Sequence, residues 1–374
     1  MAVCVHSSSH IGAIPDDLVP VILELNEDRW WPCDFQKLAL VSPAWLGPVR
    51  RRLYAFPTVR TYRAVHLLAR TLRSNPHLLP LLKGIDLRPL GGGARAEDMA
   101  SLRYLLSLEG LPTVILAGEL AIQAERFLHA LTVPHAVTKL HIDGNALAFE
   151  RGTLPSLRPA SLTWDAELAG LFPNLETLWL ANIELDIPTS RGTHTLRPVE
   201  LFLDNVVITG HLSNLADLSG LRRLTAACKD ATDLEEHLPL VFEACANTLE
   251  VLRYEVAEVR RDDAVLLDHF PSLPVLRDLV VSGVHLGYNA LTAIAERCAA
   301  LEALAIQGRA VQVTPKEWVT FIRSGAFPCL HELDTPYGTY APPFKHWSLD
   351  EGGEVMTACT ERKIRLVCHL VRCR

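Results

Sequence analysis

A short leucine pattern recurs along most of this chain and limits its fold more than any other feature. Its clearest copy reads LETLWLANIEL from Leu175 to Leu185, and the next copy, LFLDNVVI, begins at Leu201. Alternation of leucine with other residues predicts a short strand whose leucines share one face. The intervening segments 235–246 and 288–298 have apolar residues at helical spacing, so each copy predicts a strand and a returning helix. Leu178 has an equivalent leucine in each later copy, and subtraction of their numbers gives spacings of 23 to 29 residues. These leucines are Leu178, Leu201, Leu224, Leu252, Leu279, Leu304 and Leu333.

This pattern resembles the leucine-rich repeat, with one position removed before the asparagine. The resemblance implies an α/β fold in which residues 82–374 form a solenoid, a curved parallel sheet with helices on its outer face. A helix near 351–362 and a strand near 364–370 are expected to cap its end. The alternative is a doubly wound α/β enzyme, which predicts purely apolar strands and a phosphate-binding or nucleophile motif.

Residues 14–54 have the pattern of three short helices. Ile14 and Pro15 open the first helix, because proline is tolerated where no N–H is needed. Asp34 is expected to cap the second helix, and Ser42-Pro43 to begin the third. Three helices of this length bury little apolar surface among themselves, so at least one apolar stripe is expected to dock on a partner.

This segment resembles the F-box, which docks a receptor onto the Skp-type adaptor of SCF ubiquitin ligases. The resemblance rests on Ile14-Pro15, on the LVS run at 40–42 and on the spacing of the apolar residues around them. Gly47-Pro48 departs from it, because proline is expected to interrupt the third helix. The alternative is a three-helix cap on a larger domain. The residues predicted to support adaptor binding are Ile14, Pro15, Leu18, Ile22, Leu25, Leu38, Val41 and Trp45.

These resemblances divide the chain into a flexible tail (1–13), an F-box (14–54), connecting helices (55–81) and a repeat domain with its cap (82–374). They imply a substrate receptor of an SCF-type ubiquitin ligase, whose partners are the adaptor, a cullin held through it, and a target protein bound by the repeats. The alternative function is a leucine-rich-repeat scaffold or inhibitor outside any ligase.

Composition excludes several other classes of protein. The net charge of −7 gives no basic excess, so nucleic acid is not an expected partner. The nine cysteines form no C-x-x-C pair, which favours a reducing compartment, cytoplasmic or nuclear. No secretory signal and no apolar run of membrane-spanning length is recognisable, so no membrane partner is expected.

No motif predicts catalysis, a cofactor or a metal. Gly91–Gly93 lacks the Gly-Lys-Ser/Thr ending of a phosphate loop. His129, His135 and His141 are six residues apart, which does not place them on one helical face. We therefore predict a protein that is not an enzyme.

The strand alternation also predicts a target-binding surface. Because Leu178 and Leu180 point inward, Trp179 must point outward, and Phe202 occupies the same position in the next copy. The two aromatic residues are therefore expected to be neighbours across adjacent parallel strands, surrounded by polar residues. The predicted target-binding residues are Trp179, Phe202, His141, Arg223 and Arg253. The alternative is that another segment covers the aromatic residues and makes them part of a small core.

Overall fold

The computed structural model describes residue 15 and residues 17–25, 32–90, 94–144, 160–188, 196–229, 232–257 and 270–367. Ile14, the predicted tail 1–13 and the last part of the predicted end strand therefore lie outside the described residues.

Three helices near the N-terminus share a small core of their own. They are α1 (Leu18–Leu25), α2 (Pro32–Leu38) and α3 (Pro43–Ala55). Their buried apolar side chains form a cluster separate from the main core of the protein. That cluster consists of Val19, Leu23, Trp45 and Val49.

Two local predictions for these helices are wrong. Helix α3 continues through Pro48 as far as Ala55, although proline removes one backbone hydrogen bond. Trp45 and Val49 lie on either side of Pro48 and are both buried, so packing holds the two halves of the helix together. Asp34 is not a cap, because α2 begins at Pro32 and places Asp34 inside its first turn.

The rest of the described chain contains seventeen strands and nine further α-helices. The strands are β1 (Thr58–Val59), β2 (Gly84–Leu87), β3 (Thr113–Ala117), β4 (Lys139–Asp143), β5 (Ala160–Thr163), β6 (Thr177–Ala181), β7 (Ile183–Ile187), β8 (Glu200–Asp204), β9 (Val207–Gly210), β10 (Arg223–Cys228), β11 (Val251–Val256), β12 (Asp278–Ser282), β13 (Ala303–Gln307), β14 (Glu332–Asp334), β15 (Gly338–Tyr340), β16 (Phe344–His346) and β17 (Arg365–Val367). The helices are α4 (Tyr62–Ser74), α5 (Ala96–Leu106), α6 (Ala124–Leu128), α7 (Ala166–Leu171), α8 (Thr232–Glu235), α9 (Leu238–Cys245), α10 (Tyr288–Arg297), α11 (Pro315–Ser324) and α12 (Leu349–Glu361).

Twelve of these strands form one parallel sheet whose order follows the chain. The order is β1-β2-β3-β4-β6-β8-β10-β11-β12-β13-β14-β17, and the chain is therefore α/β as predicted. The sheet begins at Thr58, within the segment predicted to be connecting helices, because β1 pairs with β2. The omitted strands form a three-stranded parallel sheet, β5-β7-β9, and an antiparallel hairpin, β15-β16.

The leucines of the repeated pattern lie in register on one face of the large sheet. Leu140 pairs with Leu178, Leu178 with Leu201, and Leu201 with Leu224. These side chains are 0 to 1% exposed and share one core with the buried faces of the helices. Along β10 and β11 buried and more exposed residues alternate, so the opposite face of these strands meets solvent. A doubly wound sheet would instead cover both faces with helices.

Asparagine and glycine turn the chain away from the large sheet at equivalent positions. Asn182 and Asn205 follow β6 and β8 with φ of 53° and 52°, and Gly283 and Gly308 follow β12 and β13, also with positive φ. Asparagine and glycine are the residues that tolerate this left-handed conformation best. The asparagine of the repeated pattern thus has a backbone role.

The end of the sheet has the predicted helix and strand. Helix α12 begins with Ser348 as its N-cap, in a capping box with Glu351. Strand β17 then pairs with β14. The hairpin β15-β16, inserted just before α12, was not predicted.

Candidate functional site

Three aromatic rings form a row on the solvent-facing side of the large sheet. His141, Trp179 and Phe202 are in register on β4, β6 and β8. The ring centroids of His141 and Trp179 are 4.4 Å apart, and those of Trp179 and Phe202 are 5.1 Å apart, with interplanar angles of 15° and 25°. The predicted pairing of Trp179 with Phe202 is therefore confirmed, while their role in binding stays a prediction. We call these three residues the aromatic row.

The aromatic row presents its edges, not its faces, to solvent. Both faces of the Trp179 indole are in contact with a neighbouring ring, yet the residue remains 39% exposed. Phe202 and His141 are half-buried beside it. Stacked pairs of this kind contribute about 0.5 to 1.5 kcal/mol each beyond the area they bury. The row is thus a rigid and partly exposed apolar surface.

The register extends the row in both directions. Ile115 lies beside His141 on β3, and Thr225 follows Phe202 on β10. Arg253 occupies the next position, on β11. The structure therefore places Arg253 in the same row as the aromatic residues, two strands beyond Phe202. The sequence analysis did not identify Ile115 and Thr225. Both could have been found by extending the register of the repeated leucines to the neighbouring strands β3 and β10.

On the side of the row where the strands begin, Glu200 and Arg223 interact with each other. The Thr177 hydroxyl donates to Glu200 Oε2 at 3.0 Å, and Arg223 Nε is 3.5 Å from Glu200 Oε1. Burial raises the pKa of Asp278, against smaller opposing effects of Arg253 and Arg223. Arg223 therefore flanks the row and is part of an ion pair there.

On the side where the strands end, carboxylates predominate. Asp143, Asp204 and Glu255 occupy equivalent positions at the ends of β4, β8 and β11. Burial, followed by repulsion from Asp143, raises the pKa of Asp204. No lysine or arginine of the described chain lies within ion-pair distance of Asp204. Three carboxylates of the described chain therefore lie at equivalent strand positions on this side of the aromatic row.

Two asparagine side chains brace the same edge. Asn182 Nδ2 donates to Asp143 Oδ1 at 3.2 Å, and Asn205 Nδ2 donates to Asn182 Oδ1 at 3.0 Å. The sequence pattern contained both asparagines, but this hydrogen-bonded ladder becomes visible only once the strands are paired.

His141 is neutral near pH 7. Burial lowers its pKa to about 4, against a smaller opposing effect of Asp143 and together with Arg88, which lowers it further. Its Nε2 atom makes no hydrogen bond within the described residues. An uncharged imidazole suits its place between apolar neighbours in the row.

A second exposed apolar surface lies on the N-terminal helices. Its members are large aliphatic side chains that are 45 to 86% exposed: Leu18, Val21, Leu25, Leu40 and Val41. We call these five residues the N-terminal apolar face. Helix α1 thus directs Val19 and Leu23 inward and leaves Leu18, Val21 and Leu25 largely in solvent.

The predicted adaptor-binding residues divide between this face and the small core beneath it. Pro15, Leu18, Leu25 and Val41 are exposed. Ile22 and Leu38 are partly buried against the small cluster, and Trp45 is one of its members. The last three therefore support the face from below, and Ile14 lies outside the described residues.

No protein-family model matches the chain, and no curated protein matches it either. Within the described residues no three histidine, cysteine, aspartate or glutamate side chains are grouped so as to hold a metal ion. None of the helices described is both long and apolar enough to cross a membrane.

Proposed function

We propose that this chain is the substrate receptor of an SCF-type ubiquitin ligase. The N-terminal helices would bind a Skp-type adaptor and, through it, a cullin. The large sheet would bind the target protein, and catalysis would belong to other subunits, so that the contribution of this chain is proximity.

The observation that carries the proposal is the N-terminal apolar face. Five large aliphatic side chains remain exposed on a segment whose described residues include only four buried apolar ones in its own core. Exposed apolar patches on small helical units mark protein-interaction surfaces. Together with the resemblance of residues 14–54 to the F-box, this favours an adaptor as the partner.

The sheet domain supports the second half of the proposal. We infer that it is a leucine-rich-repeat solenoid, because its strands follow chain order, their leucines are in register, and one sheet face lies in solvent. Such a sheet offers a long continuous surface to another protein, and the aromatic row is a partly exposed apolar part of it. The compartment proposed is the cytoplasm or nucleus.

The test compares charged substitutions at equally exposed leucines. Leu40 is 86% exposed on the N-terminal apolar face, whereas Leu349 is 93% exposed at the start of α12, outside this face. Burying one leucine contributes about 1.5 to 3 kcal/mol, so Leu40→Glu should weaken adaptor binding by roughly ten- to a hundredfold. Leu349→Glu should leave it unchanged, and Leu25→Glu should behave like Leu40→Glu.

Binding is measured by calorimetry with purified Skp-type adaptor, and circular dichroism confirms that each variant is folded. Equal affinity of Leu40→Glu and wild type would contradict the assigned face. If wild type itself does not bind the adaptor, the protein is better described as a leucine-rich-repeat scaffold or inhibitor.

A further inference from the structure

A cavity of about 360 Å³ lies where the N-terminal helices meet the beginning of the large sheet. Helices α1 and α3 form one side of it, and the short 3-10 helix Pro76–Leu81 with Lys83, which leads into β2, forms the other. The backbone N–H of Lys83 donates to the carbonyl oxygen of Ala55 at 2.7 Å, so the two sides are joined by a hydrogen bond. We call this space the junction cavity.

The charged side chains that line the junction cavity are basic. Arg51, Arg52 and Lys83 belong to the lining, and none of the described residues in it is acidic. Arg52 takes part in a further interaction. Arg51 and Lys83 are exposed, and neither forms an ion pair with a residue that the structure describes. The unbalanced positive charge of the cavity therefore comes from Arg51 and Lys83.

The surrounding part of the chain has charge of the same sign. Residues 43–90 contain nine lysines and arginines but a single acidic residue, Asp86, although the whole chain has a net charge of −7. Asp86 is buried and paired with Arg88, whose Nε is 2.7 Å from its Oδ1. Asp17 and Asp34, the described carboxylates of the three-helix segment, are not part of the lining. A cleft lined by one sign of charge concentrates ions of the opposite sign.

The uncharged part of the lining is apolar and includes Leu23, Pro48 and Leu81. Apolar walls with a few convergent polar groups are typical of small-molecule sites, whose volumes begin near ~300 Å³. Arginine and lysine both bind phosphate groups, and arginine can do so through two parallel N–H donors. The lining thus suits a ligand that has a phosphate at one end and an apolar body.

We propose that the junction cavity binds a small phosphate monoester with an apolar body, and that Arg51 and Lys83 hold its phosphate. The inference is independent of the proposed ligase function, because it requires neither an adaptor nor a target. A ligand in this position contacts both the N-terminal helices and the chain entering the sheet. Binding should therefore stabilise their junction and raise the Tm of the full chain.

The test is calorimetric titration of the full chain with naphthyl phosphate, inorganic phosphate and naphthol. Naphthyl phosphate should bind at least about tenfold more tightly than either of the others, because inorganic phosphate gains no apolar contact and naphthol lacks the charge. Equal affinity for naphthol would overturn the phosphate assignment, and equal affinity for inorganic phosphate would overturn the apolar body. No binding of naphthyl phosphate would overturn the site.

Substitutions then locate the bound phosphate. Arg51→Gln and Lys83→Gln should each weaken the binding of naphthyl phosphate by about tenfold, since each removes a charged donor. The matched control is Arg70→Gln, because Arg70 is an exposed arginine of the same basic segment that does not line the cavity. This control should leave the affinity unchanged. Equal weakening by all three variants would show general attraction to a basic surface and overturn the inference, while thermal melts confirm that each variant is folded.

A phosphate monoester also occurs as a lipid headgroup, so the source of the ligand is tested separately. Vesicles of phosphatidylcholine with and without phosphatidic acid present this group in a membrane. Retention on phosphatidic acid that is lost in Arg51→Gln would support the site and assign a lipid. Binding of naphthyl phosphate without retention on vesicles would support the site and assign a soluble ester. Retention that Arg51→Gln and Lys83→Gln do not change, without binding of naphthyl phosphate, would overturn the cavity as the site.

Discussion

The stacked position of His141 leads to a prediction about stability and pH. Burial lowers the pKa of this imidazole from 6.5 to about 4, so the folded protein favours its neutral form. The unfolded chain takes up a proton as the pH falls through 6.5, whereas the folded chain does so only near pH 4. The contribution of neutral His141 to the stability of the folded protein is therefore complete above pH 6.5 and is lost as the pH falls toward 4. This difference in pKa between the unfolded and folded states corresponds to about 3 kcal/mol in the free energy of unfolding, of which about 2 kcal/mol is lost by pH 5.

The assay compares wild type with His141→Phe, which keeps an aromatic ring beside Trp179 and does not titrate. Urea unfolding is measured at several values between pH 7.5 and pH 4.5. The free energy of unfolding of wild type should fall relative to the variant by about 2 kcal/mol at pH 5. Other groups, including His237, whose pKa is also lowered by burial, are present in both proteins and cancel. Parallel curves for the two proteins would refute the placement of His141 in a half-buried stack.

Two further predictions concern turns and caps. Asn205→Ala should destabilise the protein by about 1 to 3 kcal/mol, because alanine tolerates a φ of 52° less well than asparagine and the hydrogen bond to Asn182 is lost. Asn205→Gly should lose only the stabilisation from the hydrogen bond, because glycine adopts this φ without strain. Equal urea midpoints for Asn205→Ala and wild type would contradict this prediction. Thr314→Ala should cost about 1 kcal/mol by removing the N-cap of α11, while Thr314→Ser should be near neutral; thermal melts of both variants decide the point.

The strand positions could be read from the sequence because strand alternation is a local property. Once Leu178 and Leu180 point inward, Trp179 has to point outward, and the repeated spacing places Phe202 beside it. Which side of α1 faces the core could not be predicted from the sequence in this way. Its sequence, LVPVILEL, is apolar around most of the helix, so periodicity does not distinguish the Val19–Leu23 side from the Leu18–Leu25 side.

Other features depend on contacts between segments distant in the sequence. The continuation of α3 through Pro48 follows from burial of Trp45 and Val49, which outweighs a local preference. The pairing of β1 with β2 and the asparagine ladder require the strand register to be known.

The most direct test of the central claim is the affinity of the full chain for a purified Skp-type adaptor. We expect saturable 1:1 binding with a Kd of about 1 μM or tighter, since a hydrophobic helical interface of standard size supports such affinity. Binding should disappear on deletion of residues 14–54 while the sheet domain remains folded. No saturable binding of the wild-type chain at roughly a hundred times that concentration would contradict the assignment as a ligase receptor.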